Sequence, residues 1–165
     1  MRSRQAFLSS GAPASGAVPF GPGFAAEIPT PKPLSLAALL RILVVEDSPL
    51  VQKMYALVFP RREHQLTAVD HGRKALYALE TSDAPFDLIL LDLRMPDMDG
   101  VEFIREARAI PTLSRIPIVL TTAEQDQSVL MIQARALGVT AVVHKPWKPQ
   151  ELRALVQSIV KQRVA

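Results

Sequence analysis

FDLILLDLRMPDMDG, residues 86–100, is the stretch whose reading decides the fold. Its first half carries the unbroken apolar run LILL, too short for a helix and rich enough in branched side chains to be a strand buried on both faces. Its second half breaks at Met95-Pro96 and turns at Asp99-Gly100, so the strand delivers one carboxylate, Asp92, to its end and then stops. A strand covered on both faces requires helices above and below it.

The flanking sequence supplies them. Short apolar runs recur as RILVV (41–45), LTAV (66–69), DLILL (87–91), IPIVLT (116–121) and AVVH (141–144). Amphipathic segments lie between them. Ser48-Pro49 offers an N-cap and a first-turn proline to a helix carrying Leu50, Met54, Leu57 and Val58. Gly72 opens the helical RKALYALE, and Asp99 can cap a helix running through Phe103, Ile104 and Ala107. A fourth helix ends at Leu137-Gly138, where glycine suits the left-handed C-terminal position. Pro149 starts the last, with Leu152, Leu155, Val156, Ile159 and Val160 on one face. The alternation predicts an α/β fold: a doubly wound, five-stranded parallel sheet with helices on both faces.

The global numbers limit what such a fold can be doing. At 165 residues the chain supports one ordinary core. A net charge of +3 makes no case for direct nucleic-acid binding, and no apolar run reaches membrane-spanning length. The absence of cysteine excludes a disulfide framework and thiol chemistry, and the expected location is cytoplasmic. The first 33 residues hold six of the 14 prolines and four of the seven glycines. Gly11, Pro13, Gly16 and Pro19 interrupt any secretory signal there. Residues 1–38 are therefore expected to be a flexible extension and residues 39–165 the folded domain.

In open parallel sheets, ligands sit at the carboxyl ends of the strands. Here the first strand is followed by Glu46-Asp47, the third by Asp92, the fourth by Thr122 and the fifth by Lys145-Pro146. Two carboxylates about 4 Å apart repel by about 4 kcal/mol at an effective dielectric of about 20. Lys145 offsets part of that repulsion. A hard divalent cation with oxygen ligands, Mg²⁺, offsets the rest. Carboxylates, Mg²⁺, an ammonium and a hydroxyl around one open position suit phosphoryl transfer, with Asp92 as the nucleophile that forms an aspartyl phosphate.

LVVEDS, LDLRMPDMDG, LTTAE and HKPW, in that order, resemble the motifs of the bacterial response-regulator receiver domain of two-component signalling. The resemblance runs from Arg41 to Val160 and implies a flavodoxin-like strand order, 2-1-3-4-5. It implies Asp92 as phospho-acceptor, Asp47 as a direct Mg²⁺ ligand, Glu46 as a ligand through water, and the Arg94 carbonyl completing the protein's share. Thr122, which precedes Ala123, matches the switch hydroxyl, Lys145 would contact the phosphoryl oxygens, and the Lys145-Pro146 peptide would be cis. The implied partners are a sensor histidine kinase or histidine phosphotransfer protein and an unidentified downstream protein. Few residues follow the last helix, so the expectation is a stand-alone, chemotaxis-type receiver that catalyses only its own phosphorylation and dephosphorylation.

Two alternatives stay open: a receiver-like binding module that works without phosphorylation, and an aspartate-nucleophile phosphatase. The latter wants a second aspartate two residues after the nucleophile, where this chain has Arg94. The family usually places an aromatic residue three positions before the lysine; here it is Val142. Val129-Leu130-Met131-Ile132 cannot all lie on one helical face, leaving either a helix wedged between neighbours or an exposed docking surface. His64, His71 and His144 are too dispersed for a metal site and read as surface or packing residues, with Trp147 as a packing anchor. Arg94 and Glu124, two residues past Asp92 and Thr122, carry opposite charges and are expected to pair across the mouth of the site.

Overall fold

The computed structural model describes residues 39–164, so the extension assigned to residues 1–38 lies outside the described residues. Strands and helices alternate without exception: β1 (Leu40–Val45), α1 (Pro49–Val58), β2 (His64–Val69), α2 (Gly72–Thr81) and β3 (Leu88–Leu91). They are followed by α3 (Gly100–Ala109), β4 (Ile118–Thr122), α4 (Val129–Ala136), β5 (Ala141–His144) and α5 (Pro149–Val164). All strand pairs are parallel, and the spatial order is β2-β1-β3-β4-β5, as expected. The order reverses between β1 and β3, which places the ends of those two strands side by side.

Strand periodicity divides the core in two. Leu43, Val45, Ile89, Leu91, Ile118 and Leu120 pack toward α2, α3 and α4. Their strand neighbours Ile42, Val44, Leu88, Leu90 and Val119 pack toward α1 and α5, against Tyr55, Phe59, Leu152 and Val156. The helix starts follow the caps in the sequence. Ser48 Oγ accepts from Val51 N at 3.4 Å and Asp99 Oδ1 from Glu102 N at 2.9 Å. Gly138 takes φ +78° after α4, a conformation that favours glycine.

Several boundaries differ from the sequence reading. β4 begins at Ile118 and includes Thr122, rather than spanning 116–121 with Thr122 beyond it. Pro117 has no N–H to give to the ladder, and at the other end the Thr122 carbonyl still accepts from Lys145 N at 2.8 Å. β2 begins earlier, at His64, which pairs in register with Leu40. The apolar run at the start of α4 splits between the two alternatives: Met131 is fully buried and Leu130 partly so, while Val129 and Ile132 are exposed. Trp147 is a packing anchor, its ring stacked on Tyr55 with centroids 5.1 Å apart.

The turn after β3 is built on a close backbone approach. Gly100 N donates to the Leu93 carbonyl at 2.9 Å, and a Cβ at Gly100 would stand 2.7 Å from the Asp92 carbonyl oxygen and 2.8 Å from Leu93 Cα. Neither neighbour is a flexible side-chain tip, so something in the backbone must give. Gly100→Ala is expected to cost about 1–3 kcal/mol, a fall in melting temperature of about 5–15 °C. A thermal melt checks this; an unchanged melting temperature would mean the turn relaxes freely.

Candidate functional site

Each strand end contributes to one cluster at the carboxyl edge of the sheet. The backbone sets the positions first: Glu46 N donates to the Val69 carbonyl and Asp92 N to the Val45 carbonyl, both at 3.0 Å. These bonds continue the ladders by one residue past β1 and β3. Glu46 and Asp92 are thereby held at adjacent strand ends, buried, while Asp47 is exposed. One carboxylate oxygen from each of the three lies within 4.8 Å of the others. Lys145 reaches in from the end of β5, its Nζ 2.7 Å from Glu46 Oε2 and 2.7 Å from Asp92 Oδ2.

The remaining oxygens are oriented by local donors. Asp92 Oδ1 accepts from Arg94 N at 3.2 Å and Glu46 Oε1 from Ser48 N at 3.3 Å. Gln52, one turn into α1, donates its amide to the Glu46 carbonyl at 2.6 Å and fixes the corner that carries Glu46-Asp47. Sequence reasoning missed Gln52, although its position one helical turn past the N-cap places it above that corner. Thr122 is buried, and its Oγ1 accepts from Glu124 N at 3.1 Å. Beside the carboxylates a cleft of about 360 Å³ opens between Asp47, Arg94, Met95, Pro96 and Leu130.

The expected cross-pair forms: Arg94 Nε and Glu124 Oε1 make an ion pair over the loops that follow β3 and β4. The hydrogen bond to Arg94 holds the Glu124 carboxyl below its usual range and raises the Arg94 guanidinium. The histidines do not converge. His71 caps α2, its Nδ1 accepting from Lys74 N at 3.4 Å, His64 is buried edge-on against Phe59, and His144 lies 3.4 Å from Asp126. The Lys145-Pro146 peptide is cis, as the resemblance implies.

Electrostatics separates the two groups that face each other across the cluster. Burial pushes the Glu46 carboxyl above its usual range, with Lys145 pulling the other way and Asp92 adding repulsion. Burial also opposes charge on Lys145, but its hydrogen bonds to Asp92 and Glu46 outweigh that and raise its pKa. A raised lysine stays charged through the neutral range, and its contribution to stability is lost only as pH rises through the raised value. Three carboxylates against one ammonium leave the cluster short of positive charge. All-oxygen donors at this spacing fit a hard divalent cation such as Mg²⁺, which commonly binds through a few carboxylates and keeps several waters.

The model of the response regulator receiver domain family matches residues 42–157. Among curated proteins, the chain is 37% identical over 125 residues to the cyclic di-GMP phosphodiesterase response regulator RpfG of Xanthomonas campestris, covering 75% of this chain and 32% of that protein. It is 35% identical over 122 residues to the DNA-binding response regulator MtrA of Mycolicibacterium smegmatis, covering 74% of this chain and 51% of that one. The chain thus spans about half or less of the length of these relatives. Among solved structures, the receiver domain of the Pseudomonas aeruginosa sensor histidine kinase PA1611, with magnesium coordinated in its active-site cleft, matches with a TM-score of 0.67 and 30% identity. The match covers 75% of this chain and 99% of that one.

The charge imbalance generates a stability prediction. Above its raised pKa, Glu46 carries a buried charge whose cost the metal-free protein bears; between the usual and the raised value, stability falls as pH rises. Glu46→Gln keeps an oxygen for Lys145 and removes the charge. With a chelator at neutral pH it is expected to raise the melting temperature by about 3 °C and to shrink the further rise given by millimolar Mg²⁺. Paired thermal melts with and without Mg²⁺ decide; a lower melting temperature with an undiminished Mg²⁺ effect would contradict the reading.

Proposed function

The chain belongs to the response regulator receiver domain family, and from that premise we propose that it is a two-component signalling switch that accepts a phosphoryl group on Asp92. The observation that carries the residue assignment is the Lys145 ammonium standing 2.7 Å from both Glu46 and Asp92, with Asp47 completing the carboxylate cluster. A nucleophilic carboxylate is useful only if the incoming phosphoryl oxygens meet positive charge. Lys145 supplies one such charge at the strand end.

Glu46, Asp47, Asp92 and the backbone carbonyl of Arg94 would hold Mg²⁺, with Glu46 acting through water. When bound, Mg²⁺ neutralises charge developing on the phosphoryl oxygens. The protein's own residues do the rest. An Asp92 carboxylate oxygen bonds to phosphorus as the N–P bond of a phosphohistidine donor breaks, and the electron pair and a proton remain with the departing imidazole. Lys145 then exchanges its contact with the Asp92 carboxylate for the phosphoryl oxygens, and the Thr122 hydroxyl donates to another of them. The donor is a sensor histidine kinase or a histidine phosphotransfer protein, and output is a change in protein–protein contacts in the cytoplasm. Among the described residues no helix is long and apolar enough to cross a membrane. Arg94, paired with Glu124, occupies the place where an aspartate phosphatase would carry its second carboxylate.

Incubation with a small phosphodonor and Mg²⁺ is expected to add one phosphoryl group, read by intact mass after rapid quenching, and Asp92→Asn is expected to add none. An unchanged wild-type mass, or equal labelling of Asp92→Asn, would remove the assignment and favour a phosphorylation-independent binding module. Turnover of free phosphoesters would favour the phosphatase.

The Arg94–Glu124 pair also sets an expectation for signal lifetime. Arg94 is exposed and solvent screens the pair even though Glu124 is largely covered, so melts of Arg94→Ala and Glu124→Ala should change little. A cover that excludes the hydrolytic water acts on a barrier, where 1.4 kcal/mol is about tenfold. Each single variant should hasten decay of the phosphorylated protein, and the double variant should not combine the two effects in full. Single-turnover decay of the four proteins in Mg²⁺ tests this; fully additive effects or slower decay in a single variant would exclude a paired cover.

A further inference from the structure

Two side chains of the proposed phosphoryl site, Thr122 and Lys145, sit at the ends of different strands, and a single residue of α1 touches the neighbours of both. Tyr55 is 1% exposed, and its hydroxyl lies 2.5 Å from Thr121 Oγ1. Thr121 directly precedes Thr122 and is equally buried. The same Tyr55 ring stacks on Trp147, two residues past Lys145, with an interplanar angle of 28°. Trp147 with Val51 and Met54 walls an apolar cleft of about 320 Å³ that reaches Lys145 itself. Burial pushes the Tyr55 hydroxyl up, so it stays protonated and able to donate or accept.

The ring stack is a packing contact, but the hydroxyl contact is not required by packing. A phenylalanine would fill the space of Tyr55, and a valine that of Thr121. The two hydroxyls face each other across the boundary between helix and sheet, each serving as the other's hydrogen-bond partner in a buried setting. Consecutive strand side chains point to opposite faces, so fixing the Thr121 side chain toward α1 fixes the rotation of the strand and hence the direction of Thr122 on the other face. Lys145 N donates to the Thr122 carbonyl at 2.8 Å, which joins the two strand ends to one another. On the α2–α4 side, Val142 offers a small aliphatic group and no ring. Besides the bonds that Glu124 N and Lys145 N make to Thr122, the bracing of this corner from a helix comes through Tyr55 of α1.

We propose that Tyr55 is a positioning residue for phosphoryl acceptance: through its hydroxyl it holds Thr122, and through its stacked ring it holds the turn that carries Lys145. The proposal rests on the reading of Asp92, Thr122 and Lys145 as the phosphoryl site. Tyr55 touches neither the carboxylates nor the cleft beside them. Its effect should fall on the rate of acceptance and leave cation binding alone, because Glu46 and Asp92 are held by the ends of β1 and β3 and the Glu46-Asp47 corner is held from α1 by Gln52 rather than Tyr55.

The test measures phosphorylation of the full chain by acetyl phosphate across a Mg²⁺ series for wild type, Tyr55→Phe, Thr121→Val, Thr121→Ser and the double variant Tyr55→Phe/Thr121→Val. Tyr55→Phe and Thr121→Val should each lower the limiting rate by on the order of tenfold while half-saturating Mg²⁺ stays within about twofold. Thr121→Ser, which keeps the hydroxyl, should restore most of the rate. The double variant should fall no further than Tyr55→Phe alone, since Thr121→Val removes a hydrogen bond that Tyr55→Phe has already removed. Should Tyr55→Phe fail to fold, Thr121→Val against Thr121→Ser decides alone. Limiting rates within about twofold of wild type for both single variants would overturn the proposal, as would rates that fall in step with weakened Mg²⁺ binding, the mark of general loosening. An unlabelled wild type would instead overturn the phosphoryl-site reading itself and this proposal with it.

Discussion

The Lys145 ammonium between Glu46 and Asp92 is the contact on which the rest of this structure depends, because without it the sheet would end in uncompensated buried negative charge. Two buried carboxylates at neighbouring strand ends are costly for a fold to maintain. One lysine lowers that cost without cancelling it, and Asp47 adds a third negative group at the rim. A cluster left short of positive charge fits a hard cation, the charge that one ammonium does not supply.

Topology explains why this arrangement arises on this chain. The reversal of strand order at β1 and β3 puts Glu46 and Asp92 next to each other, and β4 and β5 add Thr122 and Lys145 from one side. Each of the four is fixed by a ladder bond at or just past the end of its strand, so their spacing is inherited from the sheet. The loops carry the adjustable parts: Gly100 allows the backbone after Asp92 to pass close beneath it, and Arg94 and Glu124 meet above. Val129 and Ile132 leave an apolar edge at the start of α4 while Met131 anchors that helix in the core.

Much of this was legible in the sequence because it depends on short-range pattern. Unbroken apolar runs ending in Glu46-Asp47 and Asp92 state both the buried strands and where their polar ends fall. Ser48, Asp99 and Gly138 mark helix ends by residue type alone. Contacts between segments were less visible. Opposite charges two residues past Asp92 and Thr122 were enough to anticipate Arg94–Glu124, since strand order already made them neighbours. Nothing local distinguishes Tyr55 from an ordinary core aromatic, or Thr121 from an ordinary strand residue; their bond depends on the register of α1 against β4. The split of the apolar run at the start of α4 likewise depends on how that helix is rotated against its neighbours. The end of β4 was misplaced by one residue because a threonine pair carries no signal for where the ladder stops.

In the proposed mechanism Lys145 and a cation share the charge of one carboxylate cluster so that Asp92 can accept a phosphoryl group. The most direct measurement is a crystal structure grown with Mg²⁺ and a beryllofluoride analogue of the phosphoryl group. The analogue is expected on an Asp92 carboxylate oxygen, Mg²⁺ at about 2.1 Å from oxygens of Asp47 and Asp92, and Lys145 Nζ moved from the Asp92 carboxylate to the analogue. An analogue bound elsewhere, or an unshifted Lys145 with no cation among the three carboxylates, would contradict it.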